Sequence, residues 1–378
     1  MAENIIQVRD LVQKYCSDID VAVSSENRTF ENSLIYNNPH LNIPDIPQSY
    51  RRYGYGLLSY SAKKFVFDWF KDFKREDLYG TIQSKMTNSG MSSIDLVLTT
   101  LSTMLGKRKI LSSKSLYFAS GELIQSYRDT LFQKETRFDS KEDLDKLVNG
   151  LLGDELLYLE MCSNSPDMTF WDESLIKRYS RGVGYVILDG SLIGASRISP
   201  DIFENGNVIY VESLSKNYHL LSSSEITSGL VVYPKDLEDF FQKRFYCSGG
   251  YLQLNDLEEL PVELYQVGKD RIAKIAENVY RFYLEANEIC KNNLITISDI
   301  SDQPKQIPLV LFLDFKEKSR LQKYLDISGI SQRGSFGHDK TYILPIGLMW
   351  ETAPPGLARL AFGREKYPPN LVSALRSV

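Results

Sequence analysis

The chain has 378 residues, of which 43% are hydrophobic and 25% charged, and its formal net charge is −5. That is globular composition with ample material for a core, and the acidic balance leaves no basic footprint for nucleic acid. No apolar run approaches the ~20 residues that cross a bilayer, and the N-terminus mixes charged with apolar residues, unlike a leader peptide; a cytoplasmic protein without a membrane partner is expected. The cysteines Cys16, Cys162, Cys247 and Cys290 are scattered, and the three histidines His40, His219 and His338 are equally dispersed. Neither a disulfide framework nor a metal site is signalled, and no G-x-S-x-G elbow of a serine hydrolase is present. Hard chemistry in such a chain would come from an organic cofactor.

In chain order, residues 1–50 read as a helix and then an Asn- and Pro-rich loop, an arm suited to lying over a neighbour. A helix is predicted from Tyr55 to Phe73, with an aromatic stripe at Phe65, Trp69 and Phe73. Thr87-Asn88-Ser89-Gly90-Met91 is a turn opening a second helix, whose apolar face is Ile94, Val97, Leu98, Leu101 and Leu105. Ser92-x-x-Asp95 has the form of a capping box there. Short runs that are apolar on both faces predict strands at Lys109–Leu111, Leu156–Leu159, Tyr185–Leu188, Val208–Val211 and Leu230–Tyr233. Such strands belong to a sheet covered by helices on both sides, with ligands at its carboxyl edge. A long helix follows, carrying Ile272, Ile275, Val279, Phe282, Ala286 and Ile289 at steps of three and four. Beyond residue 295 come a strand (Ile307–Leu313), a basic helix, a loop (Arg333–Lys340) and strands at Thr341–Leu344 and Leu357–Phe362.

Three places carry chemistry. The buried run V-I-Y-V-E leads into Ser213-x-Ser215-Lys216, which puts a lysine at the carboxyl end of a strand. An ammonium buried there is costly, whereas an imine is not, and the flanking hydroxyls can donate to a phosphate. Taken alone, the string also fits a surface lysine after a strand. Tyr185-Val186-Ile187-Leu188-Asp189 ends a second strand in a carboxylate, a group that could protonate a pyridine nitrogen or simply cap the strand. The Ser89-Gly90 turn presents helix N–H groups and the positive dipole end, as a phosphate requires, although most such turns bind nothing.

In this order the three elements resemble the fold-type I pyridoxal-phosphate (PLP) enzymes over roughly residues 50–365. The similarity runs to the cysteine/methionine-metabolism lyases and synthases and to the class I/II aminotransferases. It implies an α/β fold: a large PLP-binding domain with a mainly parallel, seven-stranded-type sheet sandwiched by helices, plus a smaller α+β domain formed by the N- and C-terminal segments. The expected divisions are 1–50 (arm and part of the small domain), 51–290 and 291–378.

By that resemblance, Lys216 is the Schiff-base lysine and later the base at the substrate Cα, and Asp189 faces the ring nitrogen. Ser89, Gly90, Met91, Ser213 and Ser215 cradle the phosphate, and Tyr117 stacks on the cofactor beside the reacting atoms. Asn164, in a segment resembling E-x-P-x-N-P, meets the phenolic oxygen. Arg359, in a stretch resembling R-L-x-x-G, grips the substrate α-carboxylate with its planar fork. Tyr55 belongs to a Y-G-Y block like that of the aminotransferases and of the C–S lyases that share their fold. The chain departs from the aminotransferases in lacking an arginine shortly after the lysine. Serines 222–224, or Arg51 and Arg52 borrowed from a neighbouring subunit, are the substitutes the resemblance suggests, and a homodimer with shared sites is the implied assembly.

The expected activity is Cα deprotonation of a free L-amino acid, then β/γ-elimination, replacement or intramolecular cyclisation. The S-G-M turn, Tyr117 and the missing arginine favour it. An aminotransferase is the alternative, and a catalytically silent PLP-fold protein a third.

Overall fold

The structure is a computed structural model that describes residues 61–378, apart from 107, 152, 219–226, 249, 251, 253–262, 302–305, 335 and 350–352. Two sheets organise it. The larger has seven strands, β1 (Ile82–Thr87), β2 (Arg108–Ser113), β3 (Phe132–Phe138), β4 (Leu156–Glu160), β5 (Tyr185–Asp189), β6 (Val208–Glu212) and β7 (Gly229–Pro234), in the order β1-β7-β6-β5-β4-β2-β3. The pairs from β3 across to β6 are parallel, and only β7 is reversed, antiparallel to both β6 and β1. The carboxyl ends of β4, β5 and β6 therefore lie side by side on one edge, where crossover connections leave room for a ligand.

The core strands are buried on both faces because helices cover both. One face packs Tyr158, Ile187, Ile209 and Val211 against the apolar stripe of α2 (Gly90–Leu105), with Ile124 from α3 (Phe118–Ser126) and Phe241 from α6 (Glu238–Ser248) in the same cluster. The opposite face packs Leu157, Leu159, Val186, Leu188 and Tyr210 with α1 (61–72) and α7 (Leu264–Asn292). Two further helices, α4 (Lys141–Val148) and α5 (Glu173–Ser180), begin at Ser140 and Asp172, whose side chains accept N–H bonds from the first turn. The aromatic stripe of α1 is a packing device: Trp69 is fully buried and donates its indole N–H to Ile198 O at 2.8 Å.

The second sheet is antiparallel, ordered β10 (Tyr342–Leu344), β11 (Leu357–Ala361), β9 (Val310–Asp314) and β8 (Thr296–Ile297). It is joined by α8 (Lys318–Ser328) and α9 (Asn370–Leu375). The expected α/β architecture, a mainly parallel seven-stranded sheet with a smaller α+β portion, is present; the arm at 1–50 lies outside the described residues.

Four details correct the sequence reading. β1 and β3 were not predicted, because neither contains an apolar run; β3 is an edge strand with only Phe132 and Phe138 buried. The strand expected from Ile307 starts at Val310, since Pro308 has no N–H for a ladder. The cap of α2 is Ser89, whose Oγ accepts the Ser92 N–H at 3.0 Å. Asp95 instead accepts a hydrogen bond from the Tyr127 hydroxyl, so Ser92 and Asp95 form no capping box.

Candidate active site

The carboxyl ends of β4, β5 and β6 and the amino end of α2 converge on a cavity of about 200 Å³. Its walls include Ser89, Gly90, Met91, Tyr117, Asn164, Asp189, Ser213, Ser215, Lys216 and Arg359, which is every sequence-predicted site residue that is described. Tyr55 lies outside the described residues, as do Arg51, Arg52 and serines 222–224.

One end is a cradle of small polar groups. A Cβ on Gly90 would lie 2.7 Å from Ser213 Cβ, so the glycine is what lets the first turn of α2 approach the turn after β6. Ser213 Oγ and Ser215 Oγ are 2.9 Å apart, and the Ser213 N–H donates to Ser191 Oγ at 2.9 Å. Hydroxyls beside a helix amino end suit an anion.

The floor is acidic. Asp189 Oδ1 accepts the Ser191 N–H at 2.8 Å and Oδ2 accepts the Tyr158 hydroxyl at 3.3 Å; burial holds this carboxyl above the usual range. Glu160 is its register partner on the neighbouring strand. Glu160 Oε1 accepts the Tyr117 N–H at 2.7 Å and Oε2 the Asn164 N–H at 3.3 Å. Burial and then the charge of Asp189 push the Glu160 carboxyl up to about 8. Glu160 has no role in the sequence reading, although it ends a strand of five buried residues.

The roof and far end are cationic. Burial, and then the charge of Arg359, hold the Lys216 amine below the usual lysine range. Its Nζ lies 5.3 Å from the centroid of the Phe336 ring. Arg359, on β11 and 5% exposed, donates from Nη1 to Asn164 Oδ1 at 3.0 Å and from Nη2 to Gly334 O at 2.6 Å. Gly334 and Phe336 also line the cavity and were missed, since only tertiary folding brings the segment after α8 over Lys216.

The donor set fits pyridoxal phosphate. A hydroxyl and N–H cradle meets an anionic group, a buried carboxylate prefers a proton-bearing partner such as a pyridinium nitrogen, and a lysine of lowered basicity lines the same cavity. Among the described residues no group of three metal ligands occurs. No helix among them is long and apolar enough to cross a membrane.

No protein-family profile and no curated protein sequence matches the chain. Solved structures do. Cystathionine gamma-synthase from Xanthomonas oryzae pv. oryzae, in complex with cystathionine, superposes with a TM-score of 0.64 at 16% identity, covering 84% of each chain. MetB from Corynebacterium glutamicum gives 0.62 at 14% identity over 78% of this chain and 80% of that one. A cystathionine gamma-lyase (CalE6) from Micromonospora echinospora gives 0.61 at 16%, over 78% and 81%. With these likenesses and the strand order above, the chain has the fold of the fold-type I pyridoxal-phosphate enzymes.

Proposed function

We propose that this chain is a PLP-dependent enzyme that deprotonates a free L-amino acid at Cα and then eliminates, replaces or cyclises at Cβ or Cγ. The observation that carries the reading is the single cavity in which Lys216, Asp189 and Arg359 meet at the carboxyl edge of the sheet. The likeness of fold to cystathionine synthase and lyase structures supports the lyase type over transamination.

When bound, the cofactor supplies an electron sink for the charge left at Cα. The chain's own residues do the rest. Lys216 Nζ attaches the cofactor and afterwards moves the Cα proton, a task for which its lowered basicity suits it. Asp189 holds a proton at the ring nitrogen. Ser89, Ser213 and Ser215, with the N–H groups of Gly90 and Met91, hold the phosphate. Tyr117 covers the ring face and Asn164 its phenolic edge, and Arg359 grips the α-carboxylate. Two units are read here, 51–290 for the cofactor and 291–378 with 1–50 as the small domain. The working form is read as a cytoplasmic homodimer in which Tyr55 and the Arg51–Arg52 pair reach the partner's phosphate end.

The test is optical. The purified protein is expected to take up PLP with a visible band that Lys216→Ala abolishes. Amino acids are expected to raise transient long-wavelength absorbance and release ammonia, thiol or water. A lasting loss of the band, restored by a keto acid, would make the protein an aminotransferase. No uptake of PLP at all would end the cofactor reading.

A further inference from the structure

A buried ion pair outside the cavity joins α7 to the segment that packs against Lys216. Gly334, Phe336, Gly337 and Asp339 follow one another between α8 and β10. Gly334 O accepts from Arg359, and Phe336 faces the Lys216 amine. Gly337 (φ +84°) lies so close that a Cβ there would be 1.5 Å from Lys216 O. Asp339 ends this run, does not line the cavity and meets α7. Its Oδ1 accepts from Arg271 Nη2 at 2.6 Å and lies 3.3 Å from Arg364 Nε. Arg271 is 3% exposed, on the helix face that packs against the core. The same helix reinforces the anchor: Asn278 donates to Gly363 O and Glu365 O, and the Glu365 N–H donates to Asp339 O at 2.7 Å.

We propose that Arg271 is a positioning residue: by gripping Asp339 it fixes this segment over Lys216 and thereby places the Arg359 guanidinium for the substrate carboxylate. A buried arginine is costly to keep on a largely apolar helix face, and its planar fork suits holding a carboxylate in one place. The proposal rests on the roles read above for Lys216 and Arg359, and two measurements separate the two ideas.

The first uses cofactor-free, full-length protein. In Arg271→Met, amide hydrogen exchange across 333–341 is expected to quicken about tenfold or more, with β4, β5 and β6 unchanged. Unchanged exchange in that segment would overturn the anchor. The second uses PLP-loaded protein and two carbonyl reagents, aminooxyacetate, which carries a carboxylate, and methoxyamine, which does not. Arg271→Met is expected to slow the first about tenfold relative to the second, as Arg359→Met does, because a small misplacement of a binding group is expensive. Equal slowing of both reagents, or none, would overturn the positioning role. If wild type shows no preference for aminooxyacetate, or takes up no PLP, the roles given to Arg359 and Lys216 fail and the positioning role with them. Arg271→Lys keeps the buried charge without the fork; should the methionine variant not fold, it carries both measurements, with an effect of a few-fold expected. Arg364→Ala, at the exposed second partner, is expected to change neither.

Discussion

Two buried glutamates end strands of the same sheet and meet opposite fates. Glu160 closes β4 and opens on the cavity, where it takes the backbone N–H groups of Tyr117 and Asn164. Glu212 closes β6, takes the Tyr210 hydroxyl at 2.7 Å and the Ala195 N–H at 3.1 Å, and is fully buried. Burial pushes both carboxyls up to about 8. What separates them is register. Glu160 pairs with Asp189, and Asp189 pairs with Val211, so these three share a face. Glu212 is one residue further and, with the two-residue period of a strand, points to the other side. A buried carboxyl of raised pKa is thus a poor guide to chemistry by itself; the face it occupies decides.

The largest expected break in this comparison is between Asp189 and Glu212. Asp189→Asn removes a charge-assisted contact worth about 1.5–3 kcal/mol, so turnover should fall roughly 10- to 100-fold. Glu212→Gln should leave turnover within about twofold, since it changes no group lining the cavity. Steady-state kinetics on the two variants decide this, and an equal loss in both would show that register does not separate the roles.

Next in size, Glu212→Ala strands the Tyr210 hydroxyl and the Ala195 N–H in the core. A loss of about 1–3 kcal/mol is expected in denaturant unfolding, with the visible spectrum of the PLP-loaded protein unchanged. A stable Glu212→Ala protein with an altered spectrum would place Glu212 in the site after all.

A third effect is on the pH dependence of stability. In the fold both glutamates keep their proton up to about pH 8, whereas in the unfolded chain they release it near the ordinary glutamate value. Their contribution is fully present below that ordinary value and is lost as pH rises toward 8. The cofactor-free protein should therefore melt at a lower temperature at pH 8 than at pH 5. Glu212→Gln should flatten that slope and leave the part owed to Glu160; a slope unchanged in Glu212→Gln would show that Glu212 is not held neutral.

Much of the site was legible because its residues sit at the ends of recognisable elements. Lys216 and Asp189 each end or follow an apolar run, and Ser89-Gly90 opens a periodic helix, so local pattern marked them as candidates and their occurrence together, in that order, carried the resemblance. Tyr117, Asn164 and Arg359 had weaker local signals and came from family-like strings; the fold gathers them with the others in one cavity. Less legible were the polar strands: β1 and β3 draw their place from pairing, with no apolar run to mark them. The reversal of β7 was equally hidden, because Gly229–Pro234 is buried at every position and reads the same in either direction.

Composition, hydrophobic period and strand-end residues were enough to determine the α/β class, five strands of the large sheet and the position of Lys216 just past a buried strand; the seven-stranded type and the role proposed for that lysine came from the family resemblance. The former are short-range properties, set by which side chains lie one, two or four positions apart. The tertiary structure decided which acid faces the cavity, that Gly334 and Phe336 roof it, and that Arg271 reaches Asp339 behind it. Each of those depends on register or on contacts between residues far apart in the chain, and such contacts leave no periodic trace in the residues that make them.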